Sequence, residues 1–221
     1  MIHDKGENPM DNVKKTCYEK RAQVVLKNLR SRHFDAYYCA TKEDALRQAL
    51  SLIPEGASVG WGGSVAAEEV GLIDAVRNGN YRPIDRDAAK SPEEKAQIMK
   101  QALLADVFLT GTNALSLDGE LVNIDGTGNR VAAIVYGPES VIVIAGMNKV
   151  CATLEDAVTR ARTVAAPMNA QRFAIQTPCN VTGTCGDCKS PQCICNQILI
   201  TRHCRPAGRI KVILTGEDLG F

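Results

Sequence analysis

The sequence predicts an α/β protein: a mostly parallel β-sheet with helices on both faces, plus a cysteine-rich segment towards the C-terminus. Apolar segments of strand length alternate with amphipathic segments of roughly ten to fifteen residues along the chain. Strands joined through such helices need crossover connections, which produce parallel sheets covered on both faces. Most of the cysteines fall outside this alternation, between Cys179 and Cys204.

The first quarter of the chain predicts two helices and two strands. Residues 12–32 carry apolar side chains at helical spacing between charged ones, which indicates an amphipathic helix. Residues 35–40 follow as a short strand. Thr41 precedes an acidic turn and an apolar periodic segment, so a helix begins there and ends at Pro54. Residues 57–61 predict the second strand.

Four further elements follow a glycine-rich turn. Residues 65–76 predict a helix, and residues 81–84 predict a strand after it. Residues 91–104 predict another helix, because a serine stands at the cap and a proline at the first helical position. Residues 106–111 are apolar throughout their centre and predict a buried strand.

The remaining elements begin with a hairpin. An Asp-Gly pair separates residues 114–117 from residues 120–124, and this pair is a strong signal for a tight turn between antiparallel strands. Residues 141–145 predict a further buried strand. A Thr-Leu-Glu-Asp sequence opens a helix over residues 153–164. Residues 209–215 predict the last strand.

The composition argues against several classes of protein. The formal net charge is +1 and aromatic residues make up 5%, which is unlike a nucleic-acid-binding surface. No segment approaches the roughly 20 continuous apolar residues of a membrane span. The polar N-terminus lacks the apolar centre of a secretory signal. We therefore expect a cytoplasmic protein with a loose tail over residues 1–11 and one domain over residues 12–221, including a cysteine-rich segment over residues 177–204.

A glycine-rich turn, Gly62-Gly63-Ser64, lies between a predicted strand and a predicted helix. Glycine lets the backbone approach a ligand closely, and Ser64 can cap the helix or donate to a bound oxygen. The spacing matches neither a Walker loop nor the dinucleotide-binding pattern. Two interpretations stay open, namely a ligand-binding loop and a plain tight turn with a serine cap.

Residues 111–130, GTNALSLDGELVNIDGTGNR, contain more hydrogen-bonding side chains than turns require. They begin just past a buried strand, where open α/β sheets place their ligand crevices. Buried polar groups need partners, and a ligand would supply some of them; the alternative is that these side chains only serve turns and caps. The candidate ligand-binding residues in this stretch are Asn113, Glu120, Asn123, Asp125, Asn129 and Arg130.

Arg130 is the leading candidate for binding a carboxylate or phosphate, because its planar fork matches two oxygens. We expect an Arg130→Ala exchange to abolish binding of an anionic metabolite without unfolding the domain. A third strand-end turn places Asn148 and Lys149 at the same predicted edge of the sheet. Lys149 is either a cation for the ligand or a surface lysine.

The cysteine-rich segment contains the spacing C-x5-C-x2-C-x6-C. A C-x2-C pair in a glycine-containing turn can chelate one ion, and two more thiolates would complete a zinc site or an iron–sulfur cluster. The alternative is a set of structural cysteines, reduced or disulfide-bonded. Cys193 is a fifth thiol within the segment. The candidate metal ligands are Cys179, Cys185, Cys188 and Cys195.

Four segments together carry a family resemblance. They are GGSVAAEEVGL (62–72), LTGTNALSLDGELVNIDGTGNRVAAIVYGPESVIVIAGMNKV (109–150), RARTVAAPMNAQR (160–172) and TPCNVTGTCGDCKSPQCICN (177–196). Over nearly the whole chain, residues 12–221, the sequence resembles the lactate-utilisation (LUD) domain family, formerly a domain of unknown function. Residues 62–64 and Glu69 match that family, whereas Ala66 stands where relatives often carry threonine. The resemblance implies a NagB/RpiA/CoA-transferase-like fold and a link to lactate or organic-acid oxidation.

Two functions follow as hypotheses. The first is binding of a small anionic metabolite, such as an organic acid, a sugar phosphate or a CoA-like group, with Glu120 as the candidate for a catalytic carboxylate. The second is an accessory subunit of an oxidation complex, in which a zinc or iron–sulfur cysteine segment serves docking or electron transfer to oxidoreductase subunits. The sequence leaves open whether the protein is an enzyme and whether it forms a homo-oligomer.

Overall fold

The computed structural model describes residues 9–221 and confirms the predicted α/β fold class. Six strands form one parallel sheet in the order β1-β10-β7-β4-β2-β3. The ten strands, in chain order, are β1 (Asp35–Cys39), β2 (Ser58–Trp61), β3 (Arg82–Ile84), β4 (Val107–Gly111), β5 (Ala114–Ser116), β6 (Leu121–Asp125), β7 (Ser140–Gly146), β8 (Val150–Cys151), β9 (Gln197–Thr201) and β10 (Ile210–Thr215).

Helices cover both faces of the parallel sheet, as predicted. They are α1 (Pro9–Ser31), α2 (Lys42–Ser51), α3 (Val65–Glu69), α4 (Leu72–Asn78), α5 (Pro92–Gln101), α6 (Asn129–Val135), α7 (Leu154–Arg160), α8 (Ala166–Ala170) and α9 (Pro178–Thr182). Across residues 9–221, no helix combines the length and the apolar composition that a membrane span needs.

The core is divided between the two faces because side chains alternate along each strand. Phe108 of β4 and Val143 of β7 pack with α1 on one face. Leu109 of β4 and Ile142 of β7 pack with α2, α3 and α4 on the other. Residues of β4 and β7 are buried on both faces, which explains why these two strands read as continuous apolar segments.

The predicted hairpin is part of a second sheet, in the order β8-β5-β6-β9. The pairing of β5 with β6 is antiparallel, as the Asp-Gly pair predicts. The sequence analysis missed β8 and β9. The first is only two residues long, and the second is an edge strand that leaves Ile198 and Ile200 half exposed, so neither shows a buried strand pattern.

The predicted helix starts are confirmed by their caps. The hydroxyl of Thr41 accepts from the Asp44 N–H at 3.1 Å. Ser91 and Thr153 accept in the same way from the third residue of α5 and of α7. Each cap satisfies a backbone donor that would otherwise lack a partner at the helix start, so the polar residue fixes the boundary.

Three predicted boundaries are wrong. The segment 65–76 is two helices, because Gly71 adopts a left-handed φ of 75° between α3 and α4. The helix predicted to end at residue 164 continues through a π-helical turn, Ala161–Ala165, into α8. The first helix begins at Pro9, so the last residues of the predicted tail are helical; residues 1–8 lie outside the described part of the chain.

We expect Gly137→Ala to reduce the free energy of unfolding by about 3 kcal/mol. Gly137 has a φ of 114°, and an added Cβ would lie 2.5 Å from the carbonyl oxygen of Leu103. Gly56→Ala is the matched control, because Gly56 has a φ of 70° with no atom within 4 Å of the added Cβ. Its cost should be about 1 kcal/mol. Urea unfolding measures both values, and equal costs would contradict the close contact at Leu103.

Candidate functional site

The carboxyl ends of four neighbouring strands meet at one cavity of about 540 Å³. The cavity is lined by Ser64 after β2, Arg86 after β3, Asn113 after β4 and Lys149 after β7. These strands are adjacent and parallel in the order β7-β4-β2-β3, so their ends lie side by side. This is the edge at which open α/β sheets bind ligands.

The glycine-rich turn forms one wall of this cavity. Ser64 caps α3, since its hydroxyl accepts from the Ala67 N–H at 3.3 Å, and it also lines the cavity. Gly63 faces open space, because an added Cβ would have no atom within 4 Å. Gly62 does not line the cavity; an added Cβ there would lie 2.9 Å from Cδ of Arg130. The absence of a side chain at Gly62 therefore makes room for the stem of Arg130.

The guanidinium of Arg130 is bound by protein oxygens on both terminal nitrogens. Nη1 donates to the Gly111 carbonyl at 3.2 Å and to Asn123 Oδ1 at 2.7 Å. Nη2 donates to Asn113 Oδ1 at 2.9 Å and to the Ile124 carbonyl at 2.6 Å. All four terminal N–H groups therefore have acceptors. These contacts do not support the prediction of a free fork that binds a ligand, and Arg130 joins the end of β4 to β6 instead.

Asp125 and Asn129 order the loop that leads to Arg130. The carboxylate of Asp125 accepts from the N–H groups of Gly128 and Arg130, both at 3.0 Å, and lies 3.9 Å from Nε of Arg130. Asn129 accepts from the Thr127 hydroxyl at 2.7 Å. Both residues line the cavity, but the Asp125 carboxylate is already engaged in fastening the loop to the start of α6.

Lys149 is the buried cation of the cavity, with only 5% of the residue exposed. Among residues 9–221, no acceptor makes a hydrogen bond with its Nζ. An added Cβ at Gly220 would lie 3.1 Å from Nζ and 3.4 Å from the Ala66 nitrogen, which places the ammonium beside the turn that starts α3. Burial, followed by the nearby charges of Arg160 and Arg130, lowers the pKa of Lys149 to about 8, and Glu69 opposes this shift.

Besides Gly62, four predicted ligand-binding residues lie outside the cavity lining. Glu69 and Asn148 bind the backbone of the C-terminal segment, with contacts of 2.8 Å to Gly220 N–H and 3.2 Å to Leu219 N–H. Asn123 is buried and accepts from Arg130. Glu120 accepts from Arg32 at 2.6 Å and from the Ser116 hydroxyl, which makes it part of the fold and places it away from the cavity chemistry.

The sequence analysis missed three cationic side chains that line the cavity. They are Arg86, Lys95 and Arg172. Arg86 has its Nε buried, without a hydrogen-bond partner among the described residues. Its position directly after β3 was the available signal, because that strand end belongs to the same edge as the three turns that were singled out. Arg172 follows α8 and gave no such signal.

The family model of the LUD domain matches residues 22–215 of this chain. The chain belongs to the LUD domain family. No protein with a curated description matches it. The matched residues include every strand of the parallel sheet and the whole set of strand-end turns around the cavity.

Solved structures similar to this LUD domain share little sequence identity with it. A DUF162 family protein from Deinococcus radiodurans has 13% identity and a TM-score of 0.48, over 91% of this chain and 98% of that one. The β subunit of eIF2B from Chaetomium thermophilum has 17% identity and a TM-score of 0.36, over 52% of this chain and 44% of that one. The δ subunit has 20% identity and a TM-score of 0.31, over 48% and 47%.

The cysteines of this LUD domain are all free thiols. In the described part of the chain, no three or more His, Cys, Asp or Glu side chains are arranged to hold a metal ion. Burial, followed by the neighbouring thiols of Cys193, Cys179 and Cys185, raises the pKa of Cys195 to about 12. The Cys195 N–H lies 3.4 Å from the Cys193 sulfur. Zinc or iron–sulfur binding, with Cys188 among the ligands, stays a prediction.

We expect Arg130→Ala to reduce the free energy of unfolding by at least about 3 kcal/mol. The exchange leaves buried carbonyl and amide oxygens without donors and separates β4 from β6. Arg172→Ala is the matched control in the same cavity, since Arg172 makes one ion pair of 3.8 Å with Glu68 and is partly exposed. Its cost should stay below about 0.5 kcal/mol. Chemical denaturation measures the free energy of unfolding of both variants. A fully stable Arg130→Ala protein would favour the prediction that Arg130 binds the ligand.

Proposed function

We propose that this LUD domain binds a small anionic metabolite in the cavity, with Lys149 and Arg86 as its principal charged contacts. One observation carries the proposal: among residues 9–221, neither Nζ of the buried Lys149 nor the buried Nε of Arg86 has a hydrogen-bond acceptor, and the Asp87 carboxylate lies 3.6 Å from Arg86 Nε. Buried polar groups in native proteins almost always have partners, and an anion in the cavity would be the partner of both.

The charge around the cavity supports an anionic ligand. Five cationic side chains line it, and three carboxylates face them. Each carboxylate already has a protein partner: Asp125 in its loop, Glu68 with Arg172, and Asp87 with the Trp61 indole at 2.9 Å and with Arg86 Nε at 3.6 Å. The cationic groups are Arg86, Lys95, Arg130, Lys149 and Arg172. The excess of positive charge in a partly enclosed space attracts anions.

The size and remaining lining of the cavity favour a small organic anion. Its volume of about 540 Å³ falls within the usual range for small-molecule sites. Met99, Ile124 and Phe173 contribute apolar surface, and the side chain of Asn113 contributes an amide. Inorganic ions gain nothing from the apolar wall, whereas an organic acid or a sugar phosphate uses both kinds of surface. The likeness to the lactate-utilisation family favours an organic acid among these candidates.

The ammonium of Lys149 destabilises the ligand-free fold, and this cost is the physical signature of a binding site. Because the folded-state pKa lies near 8 and the ordinary value is 10.5, the unfolded chain binds more protons between these pH values. The free energy of unfolding therefore rises with pH across that window. Below pH 8 the full cost of the buried charge is present, about 3 kcal/mol from the size of the shift.

We expect Lys149→Met to stabilise the ligand-free protein at pH 7 by about 2 kcal/mol and to remove the stabilisation by organic anions. Methionine fills a similar volume without a charge to desolvate. Thermal denaturation with and without lactate, pyruvate, malonate and inorganic phosphate measures both effects. At pH 10.5 the stability advantage should largely disappear, since the wild-type lysine is then mostly neutral.

Lys95→Met is the matched control, because Lys95 lines the same cavity but is only partly buried. Its stability should change by less than about 0.5 kcal/mol. A destabilised Lys149→Met protein, or one that responds to the anions as the wild type does, would refute the proposed role of Lys149.

A further inference from the structure

We propose that Lys149 also acts as a nucleophile and forms an imine with a ligand that carries both a carbonyl group and a carboxylate, such as a 2-oxo acid. This inference rests on the proposed function, because it assumes that the cavity binds an organic anion. The second functional group of the ligand is then its carbonyl, and the atom that reacts with it is Lys149 Nζ.

The surroundings of Lys149 favour an amine over an ammonium. Within residues 9–221, the guanidinium groups of Arg160 on α7 and Arg130 on α6 lower the pKa of Lys149, and the carboxylate of Glu69 on α3 opposes them. Glu69 already accepts from the Gly220 N–H at 2.8 Å. A desolvated lysine beside other cationic groups is the usual arrangement of a nucleophilic amine.

The neighbouring cations cannot move away from Lys149, because their donors are fixed. Arg160 donates to the carbonyls of Asn113 at 2.7 Å and of Asn148 at 3.2 Å. Arg130 is held by the four contacts described above. Two guanidinium groups therefore stay near the lysine in every protonation state, since arginine does not lose its proton in this pH range.

The other cavity cations can bind the carboxylate and leave Lys149 to react. Arg86 and Arg172 both line the cavity, and Nε of Arg86 has no hydrogen-bond acceptor among the residues that the structure describes, with the Asp87 carboxylate 3.6 Å away. A ligand whose carboxylate is held by these arginines can direct a different atom towards Lys149. In this arrangement the arginines bind the carboxylate of the ligand, and Lys149 reacts with its carbonyl carbon.

Asn113 is suited to bind the carbonyl oxygen during the attack. Its Oδ1 accepts from the Ile124 N–H and from Arg130, both at 2.9 Å, which fixes the orientation of the amide. The Nδ2 group donates to none of the residues 9–221, and Asn113 lines the cavity. Ser64 accepts at its oxygen, so its hydroxyl hydrogen is a second available donor.

The reaction balances without an oxidant or reductant. The lone pair of neutral Lys149 Nζ forms a bond with the carbonyl carbon, and the π electrons of the carbonyl move to its oxygen. Proton transfer from nitrogen to oxygen gives a carbinolamine. Loss of the former carbonyl oxygen as water, with the two hydrogens of the amine, forms the carbon–nitrogen double bond.

Reductive trapping tests this inference on the full chain. The protein is incubated with pyruvate or glyoxylate and sodium cyanoborohydride, and the adduct is located by peptide mass spectrometry. At pH 7.5 the neutral fraction of Lys149 exceeds that of an ordinary exposed lysine by about two orders of magnitude. We therefore expect one reduced adduct per chain, on Lys149, and labelling that rises with pH up to about 8.

Two variants and one probe complete the test. Lys149→Met should show no adduct, and Lys27→Met should be labelled as the wild type is, because Lys27 is an exposed lysine of α1 outside the cavity lining. Acetone, which lacks a carboxylate, should label Lys149 much more slowly than pyruvate. Labelling spread over surface lysines, or no adduct on Lys149, overturns the inference. If anions still stabilise the unlabelled protein in that case, the proposed function stands and only the imine chemistry fails.

Discussion

The junction at Arg130 is the contact on which the site depends. Its guanidinium links the Gly111 carbonyl at the end of β4 in the parallel sheet to Asn123 and Ile124 of β6 in the second sheet. A buried guanidinium with all terminal donors satisfied is rigid, because any displacement would leave several polar groups unpaired at once. Arg130 also lines the cavity, so this junction of the two sheets forms part of its wall. Because its terminal donors are all engaged, our proposal assigns ligand recognition to Lys149 and Arg86 instead of Arg130.

The buried cations of the site differ in whether protein acceptors bind them. Arg130 and Arg160 are buried with carbonyl and amide partners, so their charges are compensated within the fold. Lys149 is buried without such a partner among residues 9–221, so we expect its desolvated charge to lower the stability of the ligand-free protein. A ligand anion would recover that free energy on binding, which is the usual relation between strain in an active site and function. Both proposals for Lys149 depend on a pKa of about 8, because the ammonium would pair with an anion and the neutral amine would attack a carbonyl.

Much of the framework could be predicted from the sequence because it depends on local signals. The apolar segments of β4 and β7, the caps at Thr41 and Thr153 and the Asp-Gly hairpin each have a short-range physical cause. The shared edge of the strand-end turns followed from parallel topology alone. The partners of Arg130 could not be predicted, because four acceptors from two separate segments meet only in the folded protein. Arg86 was missed because no turn was singled out after the predicted strand 81–84. The contacts of Glu69 and Asn148 with the C-terminal segment could not be predicted, because that segment is distant in sequence.

Proton uptake on binding tests whether an anion pairs with the buried Lys149 at a pH near the pKa of this lysine. Calorimetric titration at pH 8, with whichever organic anion stabilises the protein most, is repeated in buffers of different ionisation enthalpy. Binding should raise the pKa of Lys149, so the complex takes up a fraction of a proton from the buffer. That uptake should vanish at pH 6, where the lysine is already charged. Anion binding at pH 8 without proton uptake, or proton uptake that persists in a Lys149→Met protein, would show that the anion does not pair with Lys149.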